Sequence, residues 1–287
     1  MGLRFLVVEG NTRGARQAHK QAYGLTLSES YAEVLQGIAP DAVCDIAFPA
    51  DEGANLPDAA GLQSYDGIAI TGSALNLYDR TPAILRQIDL MRAIYASGTP
   101  AFGSCWGLQL GAAAAGGDVA RNPQGREIGF ARRITPTEAG RSHPMLAGRA
   151  PAYDAPATHI DVVSVMPPNG TVLSFNANSA VQAAEIRAEG GSFWGVQYHP
   201  EFSLAEIASI LERRAEILVR EGFCASLEDA AAYVADLAAL DAEPQRSDLA
   251  WRHGLDGEVL DPLRRTREIR NFVEHRVKPE KSARGRA

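Results

Sequence analysis

The segment Ala101-Phe102-Gly103-Ser104-Cys105-Trp106-Gly107-Leu108-Gln109 constrains this chain more than any other. A short apolar run, 100–104, ends at a cysteine, and a helical stretch, 106–116, starts just after it. A chain that passes from a buried strand to a helix across one residue must turn sharply there. The positions two residues either side of the tip then have little room for side chains. Gly103 and Gly107 occupy those two positions. This is the layout of a nucleophile elbow with Cys in place of Ser. The helix behind the tip favours negative charge there, through its dipole and its free N–H groups. Taken alone, the segment reads equally well as a buried cysteine in a glycine-rich crossing, since free Cys is among the most buried residue types.

The surrounding pattern supplies the context an elbow requires. Strand-like runs at 4–8, 42–48 and 68–70 alternate with helical stretches at 28–37 and from Pro82 to about Ser97. The second helix has Pro in its first turn and Gly98 past its end. Such alternation predicts an α/β fold, a central and mostly parallel sheet covered by helices on both faces. A polar insertion, Glu9–Leu27, follows the first strand at the sheet's carboxyl edge, where sites form. Its Arg13, Arg16, His19 and Lys20 either shape a pocket or belong to a solvated loop. The second half is mostly β, with strands expected at 128–134, 162–165, 171–175, 180–187 and 193–198. Ser203 caps a helix expected to run to about Glu221.

Residues 222–287 read as a helical extension with a basic tail, separate from a catalytic domain at 1–221. Ser226 and Asp229 form a capping-box pattern before 230–240. Residues 241–257 look linker-like, Asp261-Pro262 opens a helix to about Val277, and 278–287 should fray. From Pro262 onward nine Arg/Lys stand against three Glu, a net of +6 within a chain whose total is −7. That end either touches nucleic acid or a membrane surface, or is an arginine-rich helix and frayed tail solvated by water or docked on the acidic body. The lack of interleaved aromatics beyond Phe272 favours the second, so no nucleic-acid or membrane partner is expected.

Hydrophobic residues make up 46% and charged residues 22%, an ordinary globular composition that excludes wholesale disorder. No apolar run reaches the roughly 18–20 residues of a membrane helix. The opening MGLRFLVVEG reads as a first buried strand, not a secretion signal. Three widely spaced cysteines, without a CxxC, fit a reducing, cytoplasmic setting. Six scattered histidines without HExxH give no expectation of a metal or of any cofactor.

A second motif changes the reading of Cys105. Gly195-Val196-Gln197-Tyr198-His199-Pro200-Glu201 ends a strand. A cysteine nucleophile needs a base, and the base needs a group to orient it. His199 can take the Cys105 proton, and Glu201 can accept from the other ring nitrogen. GSCWGLQ followed by YHPE resembles the class I glutamine amidotransferase family, over roughly residues 3–203. Gly67-Ile68-Ala69-Ile70-Thr71-Gly72-Ser73 sits where that family places its oxyanion loop, and Arg126-Glu127-Ile128-Gly129-Phe130 is similar to one of its strands. The free-standing, GMP-synthase-like subgroup is the nearest match. The family often has Gly-Gly-Pro in the oxyanion loop, where this chain has Thr71-Gly72-Ser73.

The resemblance implies a three-layer α/β fold and hydrolysis of a γ-carboxamide. Cys105 attacks the amide carbon, His199 carries the proton to the leaving ammonia, and Glu201 orients His199. A γ-glutamyl thioester forms, and water releases glutamate. Backbone N–H groups of Trp106 and of Gly72 or Ser73 would hold the oxyanion. Gln109 matches a substrate-contacting glutamine, and the segment Thr158-His159-Ile160-Asp161 resembles one that holds the substrate's α-amino and α-carboxylate ends largely through backbone, with His159 and Ile160 at its centre. The substrate is glutamine or a γ-glutamyl compound.

The chain has no phosphate loop and no nucleotide-activating domain. Three readings stay open. In one, the protein delivers ammonia to a separate synthetase. In another, it is a self-sufficient γ-glutamyl amide or peptide hydrolase. In the third, disfavoured by the intact triad, it is a non-enzymatic interaction protein. The apolar faces of the C-terminal helices fit packing on their own domain or a homodimer.

Overall fold

The fold is built on strands that carry apolar residues on both faces, as a sheet covered on both sides requires. The computed structural model describes residues 2–284. Its first half contains β1 (Arg4–Val8), α1 (Arg13–Tyr23), α2 (Leu27–Ile38), β2 (Val43–Ala47), α3 (Ala59–Gln63), β3 (Gly67–Ile70), α4 (Pro82–Ser97), β4 (Ala101–Ser104) and α5 (Trp106–Ala114). The second half adds β5 (Asp118–Arg121), β6 (Glu127–Pro136), α6 (Glu138–Ser142), β7 (Tyr153–His159), β8 (Asp161–Val165), β9 (Gly170–Phe175), β10 (Ala183–Ala188) and β11 (Gly191–Val196). Helices α7 (Leu204–Glu212), α8 (Ala215–Arg220), α9 (Leu227–Ala242), α10 (Ser247–His253), α11 (Gly257–Leu260), α12 (Pro262–Arg265) and α13 (Arg267–Phe272) follow. A π-helical turn, Val273–Val277, leads into α14 (Lys278–Ala283). Among the described residues, no helix is long and apolar enough to cross a membrane.

Nine strands form one mixed sheet in the order β2-β1-β3-β4-β11-β10-β9-β6-β7, and β5 and β8 form a separate ribbon. The pairings from β2 to β11 are parallel and those from β11 to β7 are antiparallel. The step that matters for function is the parallel pairing of β4 with β11, in register Val196↔Ser104. It sets the residue after β4 beside the segment after β11, at the carboxyl edge of the sheet.

Several elements differ from the sequence-based expectations, each for a physical reason. The polar insertion after β1 folds as helix α1, with Gly24 closing it at φ 102°. It shows no apolar stripe because its buried face is polar and paired. Arg16 meets Asp51 at 2.7 Å, and His19 meets Glu206 at 3.1 Å. Strand β7 was hidden by Pro156, which a strand tolerates at the edge of a sheet, where β7 lies. The helix expected from Ser203 to Glu221 breaks at Arg213-Arg214 into α7 and α8. The linker-like stretch contains α10, α11 starts at its last residue, and the helix expected from Asp261 is interrupted at Thr266. Of the stretch expected to fray, 278–283 is helix α14, held by Lys281 Nζ donating to the Gly2 carbonyl at 2.7 Å and to Asp66 at 3.2 Å. Residues 285–287 lie outside the described residues.

The C-terminal helices complete the layers. Ile269, Phe272, Val273 and Val277 join the core on one sheet face, with Phe272 5.6 Å from Phe102 and 6.2 Å from Trp194, ring centre to ring centre. Leu237 and Leu240 of α9 pack with Ile207 and Leu211 of α7. The basic end is docked on its own chain. Arg267 donates to the Gly148 carbonyl at 2.6 Å, and Arg265 to the Val259 carbonyl at 2.7 Å.

Glu268 of α13 is fully buried and accepts from Arg149 Nε at 2.7 Å and from the Tyr198 hydroxyl at 2.7 Å. Arg149 also meets Glu258 at 2.9 Å. This network fixes the backbone immediately before His199 to the C-terminal helices. Removing one partner of a buried ion pair costs about 3–5 kcal/mol because the other charge stays buried. Glu268→Ala should lower unfolding free energy in urea by about 3 kcal/mol; a loss below about 1 kcal/mol would contradict this account of the network.

Candidate active site

Cys105 stands alone between β4 and α5, with φ 52° and ψ −101°. A positive φ in a non-glycine residue is strained, and such strain concentrates at functional tips. The flanking glycines are required by contact. A Cβ on Gly103 would lie 2.8 Å from the Gly107 α-carbon, and one on Gly107 would lie 2.8 Å from the Ile70 carbonyl oxygen. The Cys105 N–H donates to the Val196 carbonyl at 2.7 Å, tying the tip to β11.

The β4–β11 pairing then brings His199 to the tip. Its own N–H donates to the Pro156 carbonyl of β7 at 2.7 Å, and its ring stacks on Phe202 at 4.0 Å. Nδ1 donates to Glu201 Oε1 at 2.8 Å, which leaves Nε2 as the ring nitrogen available to Cys105 across the cavity that both line. The second Glu201 oxygen accepts from Ser104 Oγ at 2.8 Å, and the Tyr31 hydroxyl lies 3.3 Å from that oxygen of Ser104. Cys105, His199 and Glu201 are 6%, 2% and 5% exposed, so this relay works almost free of bulk water. Burial alone would lower the His199 pKa. The Glu201 charge and the hydrogen bonds to Cys105 and Glu201 together outweigh it and raise the pKa to about 10.

The loop after β3 closes the third side. A Cβ on Gly72 would lie 2.6 Å from His199 Cε1, so the one glycine retained in Thr71-Gly72-Ser73 stands where no side chain fits. The loop is held from behind by the turn after β1. Gly10 N–H donates to Thr71 Oγ1 at 2.9 Å, Ser73 Oγ to the Gly10 carbonyl at 2.9 Å, and Ala74 N–H to Asn11 Oδ1 at 3.0 Å. The N–H groups of Gly72 and Ser73, and that of Trp106 at the start of α5, have no acceptor among the described residues. They are the available donors for an oxyanion.

Gly72 and Ser73 share a cavity of about 240 Å³ with Cys105 and His199. The side chains of Trp106, Gln109 and His159 turn into the protein instead. Trp106 donates to Gln87 at 2.8 Å, and Gln87 donates to the Gly10 carbonyl at 3.2 Å, so the indole braces the loop. Gln109 donates to the Asp161 carbonyl at 2.9 Å and to Gln197 at 3.2 Å, and His159 meets Glu127 at 2.9 Å. These contacts fix the segment 158–161 one helical turn beyond Cys105. Ile160 lines a separate open groove with Asn122 and Arg126.

Sequence reasoning missed several cavity residues. Asn11, Ala15 and Ala18 reach it from α1 and the turn before it, beside His19, which the sequence had offered as a pocket residue, and Ile210, Arg213 and Arg214 from the α7–α8 break. The signal for α1 was present, in the T-x-x-E box at Thr26–Glu29 that starts α2 and in the Gly24 stop before it. The α7–α8 break had none, because Arg213 and Arg214 are good helix formers.

The family model for glutamine amidotransferase class I matches residues 44–216. Along nearly its whole length the chain is 36% identical to a γ-glutamyl-L-1-hydroxyisopropylamide hydrolase of Pseudomonas sp., over 96% of this chain and 94% of that one. It is 34% identical to a glutamine-hydrolysing GMP synthase of Nitrosomonas eutropha over 47% of this chain, which is 25% of that relative. A glutamine amidotransferase from Thermotoga maritima superposes with a TM-score of 0.66 at 16% identity, covering 97% of this chain and 99% of that one. Its fold is the class I amidotransferase fold, and its relatives are amide-hydrolysing enzymes. The chain is a member of the class I glutamine amidotransferase family.

Proposed function

We propose that this enzyme hydrolyses the γ-amide of γ-glutamyl compounds through a Cys105–His199–Glu201 triad, with water as acceptor. One observation carries the reading: the strained Cys105 and His199 open onto a cavity walled by α1 and the α7–α8 break, with room beyond the thiol. The space, about 240 Å³, takes the glutamyl group together with its leaving amine. The full-length likeness to a γ-glutamyl amide hydrolase supports the same choice.

In this mechanism the Cys105 sulfur attacks the γ-carbonyl carbon with its proton held on His199 Nε2, in keeping with the raised pKa of that imidazole. The carbonyl electrons move onto oxygen, held by the N–H groups of Gly72 or Ser73 and Trp106; losing one such donor costs about 10²–10³-fold in rate. The C–N bond breaks as the imidazolium gives its proton to the leaving amine, leaving a γ-glutamyl thioester. Water then attacks, His199 takes its proton, and glutamate departs. Glu201 remains ionised throughout and orients the ring. Thr158 reaches the cavity that would hold the glutamyl end, and Gln109 braces the segment 158–161 through the Asp161 carbonyl. Residues 1–221 carry this chemistry, and 222–287 form an extension that supports it. A second reading, delivery of ammonia to a separate synthetase, is favoured by the likeness to GMP synthase.

Purified protein without any partner should release glutamate from γ-glutamylethylamide, and Cys105→Ala should lower kcat/KM by at least about a thousandfold. Equal activity in both would remove Cys105 as the nucleophile. Activity on glutamine that appears only when a synthetase is added would favour the second reading.

The pH profile tests Glu201 separately. The His199 imidazolium is the acid that protonates the leaving amine, so kcat/KM should fall only as pH approaches about 10. Glu201→Gln removes the negative charge and leaves the lowering effect of burial less opposed. The basic limb should therefore move to lower pH. An unmoved limb would show that Glu201 does not set the His199 charge state.

A further inference from the structure

The break between α7 and α8 places two cations on the wall of the active-site cavity, Arg213 and Arg214. Neither has a carboxylate within ion-pairing distance among the described residues. Arg214 is partly buried, and its guanidinium donates to Thr158 Oγ1 at 2.6 Å. Arg213 donates to the Ser209 carbonyl at 3.3 Å and to His19 Nδ1 at 2.9 Å. Because His19 Nδ1 accepts that bond, its proton sits on Nε2, which donates to Glu206 at 3.1 Å.

The carboxylates nearby are already engaged. Glu221 is held by Arg126 at 3.0 Å, and Glu206 by His19. Burial pulls the Arg214 pKa down, and the charges of Arg126 and Arg213 add to the effect against the opposing pull of Cys105 and Glu221. Other buried arginines of this chain are met by acids or, as Arg265 is by Val259 at 2.7 Å, by backbone carbonyls. Arg16 pairs with Asp51 at 2.7 Å, and Arg149 pairs with Glu258 at 2.9 Å. A desolvated cation without a counter-ion is costly, and a guanidinium offers a planar fork that fits a carboxylate.

We propose that Arg214, with Arg213 beside it, is the subsite for a carboxylate of the γ-glutamyl substrate. The inference rests on the reading of the chain as a γ-glutamyl amide hydrolase and names the group its cavity selects. A γ-glutamyl compound has two sources for that group, the α-carboxylate of the glutamyl end and a carboxylate on the leaving amine. Their chemistry at the guanidinium is the same, and Arg214 acts on binding, not on the reacting atoms.

Two substrate pairs separate the sources. Glutamine and 4-aminobutanamide differ only by the α-carboxylate, and γ-glutamylalanine and γ-glutamylethylamide differ only by the carboxylate of the leaving amine. In the wild-type protein kcat/KM should favour the carboxylate-bearing member of at least one pair by at least about tenfold. Arg214→Gln should bring that ratio to within about threefold of one, mainly through KM, and Arg214→Lys should restore part of it. The pair that responds identifies the source. Wild-type ratios near one in both pairs would overturn the subsite while leaving the hydrolase reading intact. So would an equal loss on all four substrates in Arg214→Gln, which is what a merely structural role produces. Failure of the wild-type protein to cleave any of the four would overturn the hydrolase reading and the subsite together.

Discussion

Everything at the site depends on one strand pairing. β4 and β11 lie side by side and parallel, and the Cys105 N–H reaches the Val196 carbonyl at 2.7 Å. Two segments more than ninety positions apart in sequence thereby end at the same height on the sheet. The turn after β4 must be tight, which forces glycine at 103 and 107 and strain at 105. The turn after β11 must hold an imidazole against that tip, which Pro156, Phe202 and Glu201 do from three sides. Gly72 then becomes obligatory, because the ring fills the space a side chain would need. The site follows from backbone register before any side chain chooses a partner.

Much of this was legible in the sequence because it rests on local rules. Gly103-Ser104-Cys105-Trp106-Gly107 announces a sharp strand-to-helix turn, and His199-Pro200-Glu201 announces an imidazole paired with a carboxylate. The parallel strands showed themselves as uninterrupted apolar runs, and α4 by Pro82 and Gly98. What remained hidden is non-local. Strand β7 carries Pro156 at a sheet edge and reads as loop until its neighbour is known. Helix α1 buries Arg16 and His19, so its inward face has no apolar periodicity to detect. Its partners Asp51 and Glu206 lie far away in the chain. The wall at the α7–α8 break was missed for the same reason: Arg213 and Arg214 matter through tertiary placement, not through any motif.

The C-terminal helices illustrate how support reaches a catalytic segment from a distance. Glu268 holds Arg149 and Tyr198 in one buried network, and Tyr198 directly precedes His199. The Tyr153 hydroxyl of β7 meets that of Tyr198 at 2.8 Å, so the edge strand and the last helices grip the same residue. Helix α1 acts on the opposite side, where His19 links α7 to the cavity rim. In both places buried charges are compensated within the protein. Arg214, partly buried on the cavity wall with no carboxylate within ion-pairing distance among the described residues, is where a substrate carboxylate is proposed to sit.

The central claim is covalent: the γ-glutamyl group spends part of each turnover on the sulfur of Cys105. Acid quenching during steady-state hydrolysis, followed by proteolysis and mass spectrometry, reads this directly. The peptide that contains Cys105 should carry a γ-glutamyl increment that disappears once substrate is exhausted. Continued turnover with that peptide unmodified and the increment found on Cys44 or Cys224 instead would contradict the account.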